Sequence, residues 1–344
     1  MSYKQMTGNI ISATKVEPDG KFVSSAASGV WNLQDQYDYV RGDNWPNAGN
    51  AAPKALFMGG EHSGGTRVNT VDSIAITTLG NATDFGDLLE VGSYGAGVSS
   101  STRGITYGGG ANGTNVIQYF TIASAGNATD FGDATQNTNE NAGISNETRG
   151  ISACEGTSGK IEYITIASTG NATNFGNDLS LSRSKVAGAS STTRGLIAGG
   201  FGGSARKNEI GYITISTTGN ATDFGDLNTG IQDLGGMSNN TRGVFYAGYL
   251  YTNVIQYVTI ASTGNATDFG DATQTNSSYG CTASSTRGVA AGPSKAPTGE
   301  SPLNTNIIEY ITIPTTGNAA DFGDLTVSRT RIAACSNSHG GLAA

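Results

Sequence analysis

The sequence predicts an all-β chain, a six-bladed β-propeller closed by its own C-terminal strand and preceded by a short N-terminal extension, on three observations. The block Gly-Asn-Ala-Thr-Asp-Phe-Gly-Asp, intact or nearly so, recurs six times, from Gly80, Gly126, Gly170, Gly219, Gly264 and Gly317, at intervals of 46, 44, 49, 45 and 53 residues. Around each copy the same succession of short apolar alternations returns, and a repeat of ~45 residues holding four short strands is the signature of a propeller blade. The array also begins and ends in mid-repeat. Composition agrees, because 51 glycines against 7 prolines among 344 residues suit many short strands joined by tight turns.

The elements of a repeat come in fixed order. Strand A is a run of small residues such as Val186–Ser190, and a Thr-Arg-Gly turn leads into strand B, such as Gly195–Gly200. A variable loop follows, then strand C, as in Ile161–Ile166, where β-branched and aromatic residues alternate, and the conserved-looking block supplies strand D. The first copy starts at strand B (Ala55–Gly60) and the last runs on into a strand A (Arg331–Ser336) with no B after it. Joining the two completes one blade, with Ser338-His339-Gly340 standing where other copies read Thr-Arg-Gly, and removes the open edges of a linear array. Residues 54–344 are thus assigned to the propeller and residues 1–53 to a separate segment.

This order resembles the kelch propellers, in which a double glycine ends the second strand, a tyrosine lies in the third and an arginine precedes the first. Gly59-Gly60, Gly109-Gly110 and Gly199-Gly200 match the glycines. Tyr119, Tyr163, Tyr212, Tyr257 and Tyr310 match the tyrosine, and Arg183 and Arg329 the arginine. Strand D departs from the pattern: Phe85, Phe131, Phe175, Phe224, Phe269 and Phe322 stand where that family has tryptophan, so the resemblance concerns architecture rather than descent.

A net charge of −8 argues against a nucleic-acid partner, which would need clustered Lys and Arg. Cys154, Cys281 and Cys335 are scattered over different repeats and are expected to be buried free thiols. The N-terminus lacks the apolar core of a Sec-type leader, and no stretch approaches the ~18 apolar residues of a membrane span.

The paired aspartates of the block can cap turns or hold calcium; Asn174 and Asn177 replace both in one copy, which favours capping. Arg103, Arg149, Arg194, Arg242 and Arg287 share the A–B turn and are expected to pair with those aspartates, the alternative being a basic ring for an anion. Only two histidines, His62 and His339, are present, and neither lies in a triad or metal-ligand spacing. Catalytic residues, metals and cofactors are therefore not assigned, and the chain is read as non-enzymatic.

The A–B and C–D turns fall on one face of the disc, and the B–C and D–A connections on the other. The B–C loops differ in every blade, which places any partner-binding surface there, with Arg67, Phe201, Arg206, Lys207, Tyr249, Tyr251 and Lys295 as candidates. In the N-terminal segment Asn32 can cap a short helix carrying Leu33, Tyr37 and Val40, ended by Pro46. Trp31, Leu33, Tyr37 and Trp45 are its candidate attachment or oligomer contacts.

The segment SAASGVWNLQDQYDYVRGDNWP together with the YITIASTGNATDFGDL repeats resembles virion structural proteins of tailed bacteriophages, especially marine phages, described as tail-fibre or tail proteins. The resemblance implies a particle component made in the host cytoplasm and released by lysis. Its N-terminal segment would attach to other virion proteins, and its displayed β-domain would meet a host-surface glycan or protein, in a homo-oligomer without membrane insertion. A capsid-decoration, nozzle or filament subunit and a glycan-degrading enzyme are the alternatives.

Overall fold

A computed structural model describes residues 52–109, 113–155, 159–179, 183–249, 252–295 and 304–342. The N-terminal helix and Trp31, Leu33, Tyr37 and Trp45 lie outside these residues. From Pro53 onward the chain is a six-bladed propeller of four-stranded antiparallel sheets. Blade 1 consists of Ala333–Ser336, Lys54–Met58, Val68–Ala75 and Thr83–Gly92 as strands A to D. Blade 2 comprises Ala96–Ser99, Arg103–Tyr107, Thr114–Thr121 and Thr129–Thr138. Blade 3 comprises Ala142–Ser145, Arg149–Glu155, Lys160–Thr165 and Thr173–Asn177, and blade 4 Ala187–Ser190, Arg194–Ala198, Glu209–Thr214 and Thr222–Asp226. Blade 5 comprises Gly235–Ser238, Arg242–Gly248, Thr252–Thr259 and Thr267–Asp271; blade 6 comprises Gly280–Ala283, Arg287–Ala291, Ile307–Thr312 and Ala320–Asp324.

The ring closes as the sequence predicts: Ala55 pairs with Ser336, Leu56 with Cys335, Phe57 with Ala334 and Met58 with Ala333. Two details differ. The glycine pair of blade 2 is Gly108-Gly109, with φ of 58° and 97°, one position earlier than the sequence alignment placed it. Lys54 takes the arginine's place at the head of strand B in blade 1, so Ser338-His339-Gly340 does not stand where the other copies read Thr-Arg-Gly; Ser338–Leu342 leaves the blade to cap the axial channel.

The core is divided into six layers, each between adjacent blades. In every blade the C–D register slips at the phenylalanine of the block, for example between Ile117↔Gly132 and Gln118↔Asp130. Such a bulge re-aims the extra residue, and all six phenylalanines are buried to within 3%. Each contributes about 2–3 kcal/mol of apolar burial. The glycine after each phenylalanine has φ between 142° and 159°. A Cβ on it would approach a backbone carbonyl of the next blade's block to between 2.2 and 2.6 Å, so glycine is obligatory there.

The block itself clasps blade to blade. Its asparagine side chain accepts a hydrogen bond from the backbone N–H that ends the preceding block: Asn127 from Asp87, Asn171 from Asp133, Asn220 from Asn177, Asn265 from Asp226, Asn318 from Asp271 and Asn81 from Asp324, all at 3.0–3.1 Å. The capping expected of the aspartate side chains is thus performed by asparagine across the blade boundary, the aspartates lending their backbone.

The expected Arg–Asp pairing is replaced by a different contact. Each turn arginine lies over the strand-C tyrosine of its own blade at 4.5–4.7 Å, as Arg149 does over Tyr163. Its guanidinium donates to a backbone carbonyl at the end of strand C in the following blade: Arg103 to Ile166, Arg149 to Ile215, Arg194 to Ile260, Arg242 to Ile313 and Arg287 to Ile76, at 2.8–3.0 Å. A carbonyl at the rim needs a donor, and a charged one stacked on an aromatic face supplies it with little ordering cost. Blade 1 lacks both partners at once, with Lys54 and Ser73 in the arginine and tyrosine positions.

Candidate functional site

Strand A of every blade lines the axis. Gly97, Gly143, Gly188 and Gly236 let adjacent strands approach closely: a Cβ on Gly143 would lie 2.1 Å from the Gly97 carbonyl oxygen. The channel is consequently narrow, with cavities of about 90 Å³ at the loop-face mouth and 130 Å³ deeper along the axis. Volumes of this size suit a few waters and fall below those of small-molecule sites.

The turn-face end is sealed by the C-terminus. Gly340 N–H donates to the Ser238 carbonyl at 2.9 Å, and His339 Nε2 lies 3.1 Å from Ser145 Oγ and 3.2 Å from the Ser99 carbonyl. The Ser145–His339 contact has the composition of a catalytic dyad but not its protonation. Gly341 N–H donates to His339 Nδ1 at 3.1 Å, so Nδ1 is unprotonated and Nε2 carries the hydrogen, which it donates to the Ser99 carbonyl. The imidazole cannot accept the serine proton, and burial holds its pKa down at about 4.

At the opposite mouth the six D–A connections form a second ring. Tyr94, Glu140, Lys185, Asp233, Ser278 and Arg331 occupy equivalent positions, each two residues before its strand A. None is glycine, yet all six are left-handed, with φ between 53° and 63°. Their backbones close on one another: Tyr94 N–H donates to Arg331 O, Glu140 to Tyr94, Lys185 to Glu140, Asp233 to Lys185, Ser278 to Asp233 and Arg331 to Ser278, at 2.7–3.2 Å. The left-handed turn presents each amide to its neighbour, and backbone groups alone complete the hydrogen-bonded circle.

Those side chains make a polar rim. Lys185 Nζ sits 3.5 Å from Glu140 and 3.7 Å from Asp233. Arg331 pairs with Glu61 and stacks on Tyr94 at 4.4 Å. Burial, then the charges of Asp233 and Glu140, raise the Tyr94 hydroxyl far above its ordinary pKa, so it remains a neutral donor.

The B–C loops are tied beside this ring. Glu61 bridges Thr330, Phe201 bridges Ser184, Ser294 pairs with Ser277, and Tyr249 N–H donates to the Gln232 carbonyl. In each case the partner directly precedes a left-handed rim residue. Between blades 4, 5 and 6 the loops enclose a recess of about 390 Å³, lined by Lys185, Asp233, Ser278 and Arg331 from the rim and by Phe201, Arg206, Tyr249, Gln232, Ser277 and Ser294.

The sequence-derived candidates separate here. Phe201, Arg206 and Tyr249 come together in the recess, Phe201 facing Arg206 across a two-residue hairpin and Arg206 lying over the Tyr249 ring at 4.9 Å. Arg67 lies elsewhere, bonded to Ser93 Oγ at 3.0 Å, and the backbone of Lys207 anchors the hairpin base through Gly200 and Ile231. The Lys295 backbone pairs with Asn276, while Tyr251 is outside the described residues. Sequence reading missed the six rim residues because no side chain repeats; their constant offset from strand A was the available signal. Among the described residues no group of three or more His, Cys, Asp or Glu side chains is placed to hold a metal ion. No protein-family model and no curated protein matches the chain.

Proposed function

We propose that this chain is a non-enzymatic structural protein of a tailed-bacteriophage virion, a tail-fibre or tail-associated component. Residues 1–53 attach it to other virion proteins, and the loop face of the propeller meets a molecule on the host surface. The observation that carries the binding role is the contrast within one disc: a polar, asymmetric recess and a rim of six different side chains are mounted on an otherwise repeated scaffold. Left-handed non-glycine residues cost conformational energy and concentrate at functional positions. The virion assignment rests on the resemblance of the N-terminal segment and repeats to tail proteins. The test is adsorption of particles carrying Phe201→Ala, Arg206→Gln and Tyr249→Ala together. Adsorption should fall at least tenfold with normal particle assembly; unchanged adsorption would sink the proposal.

A purely assembly role is the second reading, favoured by exposed Leu79, Leu89 and Val91, all on blade 1. Large exposed apolar side chains gathered on one blade suit contact with a neighbouring subunit. Loss of particle assembly, rather than of adsorption, on replacing Leu89 and Val91 with serine would select it.

A further inference from the structure

We infer that the recess between blades 4, 5 and 6 takes a carboxylated saccharide, an inference that rests on the host-surface reading above and specifies its ligand. Three properties of the lining lead there.

The first is charge. The chain carries a net charge of −8, yet the recess gathers Lys185, Arg206 and Arg331 against the single carboxylate of Asp233. Lys185 and Arg331 are held by Glu140, Asp233 and Glu61. Arg206 has no carboxylate partner among the described residues, and its Nε–H, shielded from solvent, has no acceptor. An unneutralised guanidinium in a partly enclosed space favours a carboxylate, which it can grip with two parallel hydrogen bonds.

The second is the aromatic pair. Phe201 and Tyr249 are among the few large exposed apolar residues described, at 39% and 37%, and both line the recess. They flank the cation: Arg206 is the cross-strand neighbour of Phe201 and stacks on Tyr249. The hairpin that holds Phe201 and Arg206 turns through Gly203 and Ser204, both left-handed at 59° and 66°, a primed turn that fixes strand geometry. Rigid aromatic faces suit the C–H face of a pyranose ring, which a bare inorganic anion does not possess.

The third is the floor. Ser277, Ser278, Ser294, Gln232 and Asp233 supply hydroxyl, amide and carboxylate groups, the donors and acceptors that sugar hydroxyls require. A volume near 390 Å³ falls at the small end of ligand sites, room for one or two sugar rings rather than a long chain.

The experiment is calorimetric titration of the full chain with matched probes: sialyl-lactose against lactose, oligogalacturonate against its carboxyl-reduced form, and inorganic phosphate. At least one acidic sugar should bind tenfold or more tightly than its neutral partner, with phosphate failing to compete at equal concentration. Arg206→Gln should abolish the preference for the acid, and Tyr249→Ala should weaken the acidic and neutral sugars alike, both variants keeping the wild-type melting temperature. Equal binding of acid and neutral sugars, binding of none, or full competition by phosphate would overturn the inference. Adsorption separates the two claims. Particles with Arg206→Gln that adsorb normally while the chain binds acidic sugars would sink the host-surface role alone. Impaired adsorption without acidic preference would sink the ligand class alone.

Discussion

The two faces of the disc solve the same problem, joining six blades into a ring, with different parts of the chain. On the turn face backbone and side chains share the links: the N–H groups of each block's glycine and alanine donate to carbonyls of the preceding block at 2.7–3.0 Å, and asparagine clasps at all six boundaries and arginine staples at five are added to them. On the loop face the link is a closed circle of backbone amides and carbonyls. Where side chains share in the closure, the sequence must repeat; where backbone alone completes the circle, side chains are free to differ. The proposed binding surface lies where the hydrogen-bonded circle makes no demand on side-chain identity.

Breaking the axis on which both faces depend should have the largest effect. Gly143→Val drives a branched side chain against the Gly97 carbonyl, which already lies 2.1 Å from an ideal Cβ, in a ring that cannot open one joint without straining the others. A loss of at least about 3 kcal/mol is expected, read from the midpoint of denaturant unfolding. A loss under 1 kcal/mol would mean that the strands at the axis can splay apart.

Removing one staple tests the turn face more finely. Arg242→Ala deletes a charged hydrogen bond to Ile313 and a stack on Tyr257, together about 2 kcal/mol. Blade 1 provides the converse. Its Lys54 lies 5.5 Å from the Phe85 ring. Installing Lys54→Arg with Ser73→Tyr should raise stability by about 1 kcal/mol, more than the sum of the single changes, because the pair acts as a unit. Additive singles would show that the arginine and tyrosine act independently.

The axial plug should make turn-face stability depend on pH. His339 titrates at about 4 when folded and near the ordinary 6.5 when unfolded, so the unfolded chain binds the extra proton between those values. The contribution is present above pH 6.5 and lost as pH falls through 4. Although the ring's nitrogens are engaged, part of the residue reaches solvent, and the loss is put at about 2 kcal/mol. Asn at position 339 should flatten this segment of the stability–pH curve; an unchanged curve would place the titration elsewhere.

What could be read from the sequence follows the same division. Blade number, strand order and closure through residues 331–336 were visible because each rests on a repeated side chain or an apolar alternation. Partner assignment was not: the repeats placed arginine and aspartate on one face, but the bulge at phenylalanine and the offset between blades bring the arginine to a carbonyl instead. The departure of His339 from the blade was hidden because Lys54, an unremarkable residue beside Pro53, takes the arginine's position. At the site, exposed aromatic and basic loop residues pointed to Phe201, Arg206 and Tyr249. Lys185 and Asp233 carried no side-chain signal, only their constant offset from strand A, since their common property is a backbone angle.

The smallest expected effect tests the comparison most directly. Ser278 is left-handed at φ 61°, and its amide and carbonyl both belong to the mouth ring. In Ser278→Gly the native state gains relief from the positive φ, while the unfolded chain gains conformational freedom, and the two nearly cancel. Stability should therefore change by less than about 0.5 kcal/mol, within the range of ordinary surface substitutions. Gly86→Ser on the turn face makes the opposite exchange, at φ 148° with a carbonyl 2.3 Å from the new Cβ, and should cost several times as much. If Ser278→Gly instead costs more than about 1 kcal/mol, side chains help close the mouth ring. The freedom attributed to the loop face would then be smaller than its backbone circle implies.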